Sequence, residues 1–282
     1  MTKLKLYDQA FYPDPSTSRY HKSKFIEWNR TGGKEKEGEP VFFTDGCLPL
    51  ATSKLFEKSF KCAILVEPYV ISPQNYQFIA KNPEVFNLVF THHLDIIPQV
   101  KNAVYVPSSM CWIDEKDFGL YTKTKGVSFF ASDKKWVKGH QFRHEIIETF
   151  KRNGQLPFDL FGSGYNRVEH KIEGLKDYRF SIVMENCQAA GYHTEKIIDS
   201  FVTSTVPIYY GDPAIGRVYD EKGIIRFKTV EELEYVMGVL EKDGVEIYDK
   251  MFPYSRANFA IAKNHLCMED EIWPILKDRG LV

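Results

Sequence analysis

The sequence has little that would mark a membrane protein, a secreted protein or a nucleic-acid-binding protein. No window approaches the ~18 to 20 consecutive apolar residues of a membrane span, and the N-terminus lacks the apolar core of a signal peptide. The 37 basic residues nearly balance the 38 acidic ones, and the formal net charge is -1. No global basic field therefore points to nucleic acid or a membrane surface, and any recognition of phosphate must be local.

Cysteine and glycine patterns are also sparse. The five cysteines are far apart, odd in number and never arranged as C-x-x-C, which favours reduced thiols over a disulfide scaffold or a zinc site. No G-x-G-x-x-G follows an early strand pattern, and its absence argues against a nicotinamide-dependent oxidoreductase. What remains is a chain of 282 residues, 43% hydrophobic and 15% aromatic, which is enough for two compact α/β domains with cores.

The first half alternates short apolar runs with helical patterns, which predicts a Rossmann-like domain with a mainly parallel sheet. A polar stretch over residues 112–125 separates it from a second α/β pattern, so we expect domains at 1–120 and 121–282. The predicted strands of the first half are 4–7, 41–44, 61–67, 86–91 and 103–106; the predicted helices are 20–28, 50–60 and 74–81, and 31–40 is predicted as an exposed loop. In the second half, strands are predicted at 127–133 and 158–162 and helices at 140–153, 229–240, 246–251 and 255–267.

Residues 178–213 carry the most informative pattern. Strand 180–184, helix 196–202 and strand 206–210 form one βαβ unit, so the loop 185–192 lies at the carboxyl end of a strand, where open α/β sheets bind ligands. A helix beginning near Thr194 offers free N–H groups and a positive dipole end, and Lys196 adds a positive charge. A phosphate would fit there, and Glu195 could accept hydrogen bonds from sugar hydroxyls. Lys196 and Glu195 on a solvated first turn are the structural alternative.

The order of residues in this stretch resembles the donor-binding signature of the α1,3/4-fucosyltransferases, glycosyltransferase family 10. The matching positions are Glu185, Asn186, Tyr192, Thr194, Glu195, Lys196, Pro207, Gly211 and Pro213. The resemblance implies a GT-B enzyme, α/β in class, with two Rossmann-like domains facing across a cleft. Domain 1–120 would supply the acceptor side, and domain 121–282 would hold the nucleotide sugar, with C-terminal helices bracing the first domain.

The same resemblance implies an activity. It predicts an inverting α1,3-fucosyltransferase that moves fucose from GDP-fucose to a hydroxyl of an N-acetylglucosamine- or glucose-type glycan, with no cofactor and no metal required. The residues alone support only a diphospho-sugar donor. A GT-B transferase using another nucleotide-diphosphate sugar and a non-catalytic nucleotide- or glycan-binding protein therefore stay open. The family's Golgi members carry a membrane anchor, and this sequence shows no such segment. We therefore expect either a cytoplasmic enzyme of bacterial or viral type, peripheral membrane association included, or a clipped catalytic domain.

Further donor-binding residues are predicted near the strand ends of the second α/β pattern. Arg143 leads a helix and would bind the diphosphate, because its guanidinium fork fits phosphate oxygens; a solvated helix face is its alternative. Gly162 opens a turn that would let the backbone approach the base or ribose, although a plain turn explains it nearly as well. The resemblance adds Glu185, Asn186 and Tyr192, with Tyr192 offering a ring and a phenolic hydroxyl.

The predicted catalytic base is Glu67, which closes the strand pattern CAILVE before Pro68. A carboxylate at a strand's carboxyl end could take the proton from an attacking hydroxyl, or it could simply cap nearby N–H groups. His93 and Asp95 are candidate acceptor contacts, with a solvated loop as the alternative. Adjacent histidines in an extended segment should point to opposite faces, so His92 and His93 are not predicted to share a metal.

Overall fold

The computed structural model describes residues 1–31, 37–154 and 156–282, so residues 32–36 of the loop predicted at 31–40 lie outside the described residues. The chain forms two compact units. Unit 1 consists of Met1–Cys111, Ala189–Tyr192 and His265–Val282, and unit 2 consists of Trp112–Gln188 and His193–Asn264. Within the described residues, no helix combines the length and hydropathy that crossing a bilayer requires.

Unit 1 is built on a parallel six-stranded sheet with the order β2-β1-β3-β4-β5-β6. Its strands are β1 (Thr2–Tyr7), β2 (Ile26–Asn29), β3 (Pro40–Thr44), β4 (Phe60–Leu65), β5 (Leu88–Thr91) and β6 (Ala103–Tyr105). Helix α1 (Pro73–Lys81) and 3-10 segments at Asp45–Thr52, Lys54–Phe56 and Ile97–Gln99 follow individual strands. In β3, Phe42 belongs to one core cluster while Val41 and Phe43 belong to another, so both faces of the sheet are buried. This explains the continuous apolar strands.

Unit 2 contains a parallel five-stranded sheet with the order β11-β10-β9-β7-β8. Its strands are β7 (Lys125–Phe130), β8 (Asp159–Phe161), β9 (Tyr178–Met184), β10 (Val206–Tyr210) and β11 (Ile225–Arg226), and its helices are α2 (Lys138–Arg152), α3 (Glu195–Val202) and α4 (Val230–Ala262). Short 3-10 segments occur at Glu115–Asp117, Lys171–Gly174, Ile215–Arg217 and Glu221–Gly223. The predicted α/β class with parallel sheets is confirmed.

Two helices lie near the end of the chain. Thr229 caps α4, because its hydroxyl accepts the Glu232 N–H, as the capping-box pattern predicts. The three helices predicted after residue 229 are wrong in number, because residues 230–262 form one 33-residue helix. The last helix, α5 (Met268–Asp278), belongs to unit 1, where Met268, Ile272 and Leu276 repeat at helical spacing and are fully buried in the core.

Two other predicted helices of the first half are wrong. Residues 20–28 contain β2 instead, in which buried Ile26 and Trp28 alternate with exposed neighbours. The serine before this strand explains the difference, because Ser23 Oγ accepts the N–H groups of Phe25 and Ile26 and so competes with helix formation. Residues 50–60 form only 3-10 turns, with Pro49 inside the first of them.

Candidate functional site

The predicted βαβ unit is present. Strands β9 and β10 pair in parallel, and α3 connects them, with Thr194 at its N-cap position. Four apolar side chains of α3 are fully buried, which fixes the helix on the sheet: Ile197, Ile198, Phe201 and Val202. The N-terminus of α3 therefore lies next to the carboxyl end of β9, where the signature residues begin.

Glu185 ties these two ends together. Its carboxylate is fully buried and accepts both the Thr194 N–H at 2.9 Å and the Thr194 hydroxyl at 2.8 Å. The same carboxylate lies 3.2 Å from the Lys196 ammonium. Glu185 thus satisfies a helix N–H group that would otherwise lack an intrahelical acceptor, and it holds a lysine in the first turn.

Lys196 is surrounded by oxygen atoms. Its ammonium lies 3.2 Å from Glu195 Oε1 as well as from Glu185, and it donates to the Thr194 hydroxyl at 2.7 Å. Burial opposes the charged form, but the two carboxylates together outweigh it and raise the pKa of Lys196. Burial would likewise raise the pKa of Glu195, yet the charges of Lys196 and Lys171 lower it. The Lys196 side chain keeps 26% of its surface exposed.

Arg143 lies beside the same strand end. It projects from α2 and is only 6% exposed, and its guanidinium donates to the Met184 carbonyl and to Asn186 Oδ1. The two cations are close enough for the charge of Arg143 to act on Lys196. The structure therefore brings Arg143, Glu185, Asn186, Glu195 and Lys196 together.

Gly139 makes the position of Arg143 possible, and sequence reasoning missed it. A Cβ at this position would lie 2.3 Å from the carbonyl oxygen of Asn186 and 2.7 Å from its carbonyl carbon. The first turn of α2 thus contacts the backbone of the loop after β9. The only signal in the sequence was a glycine just inside a helix start, where glycine is otherwise unfavourable.

His140 is a second residue that sequence reasoning missed. It is buried, hydrogen-bonds the Asn186 side chain, and its Nδ1 has no hydrogen-bond partner among the described residues. Burial and the charges of Arg143, Lys134 and Lys196 lower the pKa of His140 to about 4, so its ring is neutral near pH 7. Its place one helical turn before Arg143 was the available signal.

Gly162 follows β8, the neighbour of β7 in the sheet. Its φ is +119°, and a Cβ there would lie 2.0 Å from the carbonyl oxygen of Ala131. The Gly162 N–H donates to the Asn166 carbonyl at 3.0 Å, and Ser163 Oγ donates to Asp133 at 3.1 Å. A close backbone turn at the carboxyl ends of β7 and β8 therefore requires glycine.

Tyr192 and His93 belong to unit 1. Tyr192 is 2% exposed and stacks on the His93 ring, with centroids 5.9 Å apart and planes at 1°. The prediction that the adjacent histidines point to opposite faces is wrong, because the ring centroids of His92 and His93 are 4.6 Å apart. The chain bends after β5, where the His93 N–H donates to Thr91 Oγ1 at 3.2 Å, so strand alternation no longer applies. Asp95 is exposed in the following turn.

Glu67 follows β4 and is partly exposed. Its backbone is held on both sides: the N–H donates to Asp45 Oδ2 at 3.2 Å, and the carbonyl accepts the Tyr76 hydroxyl at 2.9 Å. Among the residues that the structure describes, no group of three or more His, Cys, Asp or Glu side chains is arranged to hold a metal ion.

The two parallel α/β units and the cation pair at a strand end are features of a GT-B glycosyltransferase. A family model described as "Glycosyltransferase family 10 (fucosyltransferase) C-term" matches residues 120–273, more than half of the chain. The chain belongs to glycosyltransferase family 10, as its donor signature predicts.

Relatives and solved structures agree with this assignment. The chain is 40% identical to α-(1,3)-fucosyltransferase FucT of Helicobacter pylori over 77 residues, which are 26% of this chain and 16% of that protein. It is 25% identical to α-(1,3)-fucosyltransferase B of Drosophila melanogaster over 165 residues, 51% of this chain and 37% of that one. Each match spans well under two thirds of the relative. A crystal structure of α1,3-fucosyltransferase with GDP-fucose matches with 17% identity and a TM-score of 0.57, covering 94% of this chain and 91% of that one.

The fold is shared more widely than the sequence. Anabaena HepE in complex with UDP and glucose matches with a TM-score of 0.65 and 11% identity, covering 100% of both chains. Together these likenesses confirm the predicted GT-B fold class with Rossmann-like units. At such low identity they establish the fold alone.

Proposed function

We propose that this protein is an inverting α1,3-fucosyltransferase that uses GDP-fucose as donor and an N-acetylglucosamine- or glucose-type glycan as acceptor. Membership of family 10 supports the enzyme class, and the names of the relatives in Helicobacter pylori and Drosophila melanogaster support the linkage. The matched structure with GDP-fucose supports the donor. The observation that carries the proposal is the pair of fixed cations, Arg143 and Lys196, at the carboxyl end of β9.

In this proposal the diphosphate of the donor binds to the two cations and to the first turn of α3. Arg143 is held by two acceptors and is always charged, while the pKa of Lys196 is raised, so both stay cationic over the working pH range. The helix N-terminus adds a positive dipole end. Fixed cations of this kind would serve in place of a metal ion. Gly162 would admit the nucleoside, and Glu195, Asn186 and Tyr192 would complete the donor side.

The proposed chemistry is a single displacement. Glu67 takes the proton of the acceptor hydroxyl as its oxygen forms a bond to the anomeric carbon of fucose. The bond between that carbon and the diphosphate oxygen breaks at the same time, and its electron pair leaves with GDP. Arg143 and Lys196 stabilise the charge that grows on the leaving diphosphate. His93 and Asp95 are proposed for the acceptor side.

Calorimetric titration with GDP-fucose, GDP-mannose and UDP-galactose tests the donor. Selective binding of GDP compounds is expected, and Arg143→Ala and Lys196→Ala should each weaken it by about 1.5–3 kcal/mol, the usual cost of losing hydrogen bonds to a charged group. Arg152→Ala is the matched control, because Arg152 is an exposed arginine on the same helix as Arg143. Tighter binding of UDP-galactose than of either GDP compound would point to another donor class.

Turnover is tested separately from binding. Incubation with GDP-fucose and a panel of acceptors ending in N-acetylglucosamine or glucose should release GDP and yield a fucosylated product, whose linkage and anomeric configuration NMR would define. Glu67→Gln should bind GDP-fucose normally and lose most of the transfer. If the wild-type protein binds donor but fucosylates none of the acceptors, a non-catalytic nucleotide-binding role is favoured.

A further inference from the structure

Asp45 occupies an unusual place at the end of β3. It follows directly after the strand, is only 9% exposed, and has a φ of +33°. This left-handed backbone region is costly for most residues with a side chain, although aspartate and asparagine tolerate it better than others. A buried acid in a strained conformation is retained where surrounding contacts require it.

The contacts of Asp45 lead to the residue proposed as the catalytic base. One carboxylate oxygen accepts the Val66 N–H at 3.1 Å, and the other accepts the Glu67 N–H at 3.2 Å. The buried side chain of Asn75 on α1 also hydrogen-bonds the Asp45 carboxylate. Both oxygens are therefore used to hold the segment directly after β4, in which Glu67 lies.

We propose that Asp45 is a positioning residue for Glu67. Its ionised carboxylate accepts hydrogen bonds from two successive backbone N–H groups and so fixes the orientation from which Glu67 takes the acceptor proton. This inference rests on the proposed function of Glu67. In this inference Asp45 acts on the reaction only through the geometry and charge of the segment directly after β4. Only an acidic side chain reaches both N–H groups as an acceptor, because an amide at this position would turn a donor toward one of them.

The electrostatics of Asp45 and Glu67 predict a distinctive pH dependence of transfer. Burial raises the pKa of Asp45 to about 6, against the lowering effect of the two N–H groups, and the charge of Glu67 raises it further. The other group that acts on Asp45 is the neutral amide of Asn75. Burial and the charges of Asp8 and Asp45 raise the pKa of Cys47, so its thiol is uncharged near pH 7. The Asp8 carboxylate is paired with Arg30 at 3.0 Å. As pH falls through about 6, a protonated Asp45 stops accepting one N–H, and transfer should fall with it.

The test compares Asp45→Asn, Asp45→Gly and Glu67→Gln, together with the double variant Asp45→Asn/Glu67→Gln. Asn and Gly both accept a positive φ, so neither introduces new backbone strain. Each single Asp45 variant is expected to lower kcat by about 10- to 100-fold, the range for a misplaced catalytic group. The KM and calorimetric Kd for GDP-fucose should stay unchanged, and the acid limb of the kcat profile should move away from pH 6.

The double variant decides whether Asp45 acts through Glu67. If it does, Asp45→Asn adds almost nothing in the Glu67→Gln background, since coupled residues are non-additive. A full additional loss in that background, or wild-type kcat in Asp45→Gly, would overturn the inference while leaving Glu67 as the base. Wild-type kcat in Glu67→Gln would instead overturn the base assignment itself, and this inference with it.

Two further variants separate folding from function. Asn75→Ala leaves the Asp45 carboxylate in place but removes a hydrogen bond that lowers its pKa, so the acid limb should move to higher pH. An unmoved limb would contradict the inference even if both Asp45 variants failed to fold. Glu57→Gln, at an exposed carboxylate of the same unit, is the control and should leave the profile as in the wild type.

Discussion

The close approach of Gly139 to Asn186 gives the sharpest prediction. A methyl group at residue 139 would lie 2.3 Å from the Asn186 carbonyl oxygen, 2.7 Å from its carbonyl carbon and 2.9 Å from its Cα. All three contacts are with backbone atoms, so rotation of a side chain cannot relieve them. The first turn of α2 must shift by about 1 Å to reach an ordinary contact distance, and Arg143, one turn further along, shifts with it.

The magnitude follows from two opposed effects. Helix propensity alone favours Ala over Gly by about 0.8–1 kcal/mol, whereas forcing an extra carbon into a packed site costs typically about 1–3 kcal/mol. We therefore expect Gly139→Ala to lower the free energy of unfolding by about 0–2 kcal/mol. Weakening the hydrogen bonds of Arg143 to Met184 and Asn186 should reduce GDP affinity by about tenfold, since a hydrogen bond to a charged group contributes roughly 1.5–3 kcal/mol.

Gly238 is a matched control on α4. A Cβ there would meet nothing within 4 Å, so Gly238→Ala keeps the propensity gain without a clash. Urea denaturation should show this variant more stable than the wild type by about 0.5–1 kcal/mol, and calorimetry should show unchanged GDP binding. If Gly139→Ala behaved like Gly238→Ala in both assays, the close contact would not position Arg143 and the reasoning would be refuted.

Three further predictions concern buried charge. Glu185→Gln should weaken GDP binding severalfold in calorimetry, because Lys196 loses one of its two carboxylates; unchanged binding would contradict this. Lys123→Met should lower the free energy of unfolding by about 2–4 kcal/mol in urea titrations, since the Lys176 and Thr203 carbonyls lose their donor; a neutral result would refute it. Burial lowers the pKa of His93 from 6.5 to about 4. The unfolded chain therefore binds a proton first, and stability should fall between about pH 6.5 and 4 by up to roughly 3 kcal/mol. His93→Phe should remove that part of the acid sensitivity, and an identical pH dependence would show that another group causes it.

The strands were predictable where burial alone decided the structure. Both faces of each parallel sheet are covered, so β4, β9 and β10 appear in the sequence as short continuous apolar runs. The segment before β2 was not predictable from periodicity, because the Ser23 side chain accepts the N–H groups of Phe25 and Ile26, which a helix would otherwise pair. Local pattern identifies a structure only where no competing partner for the backbone is available.

The site shows the same division. Glu185, Thr194 and Lys196 lie close together in the sequence and in space, because a strand end and the following helix start meet at one point. Gly139 and Asp45 gave no comparable signal, since each is explained by a backbone group in a different part of the chain: Asn186 for Gly139, and Val66 and Glu67 for Asp45. Such contacts become visible only when the strands have been placed side by side.

The cations of the proposed donor site are fixed before any ligand arrives. Lysine has four rotatable side-chain bonds and would lose up to about 2 kcal/mol of conformational entropy if binding had to order it. Here Glu185, Glu195 and Thr194 already hold its ammonium, and Met184 and Asn186 hold the guanidinium of Arg143. Much of that ordering therefore takes place on folding, and binding of a diphosphate loses correspondingly less free energy. The carboxylates of Glu185 and Glu195 reduce the net charge of the site, yet they are also the groups that hold the Lys196 ammonium in place.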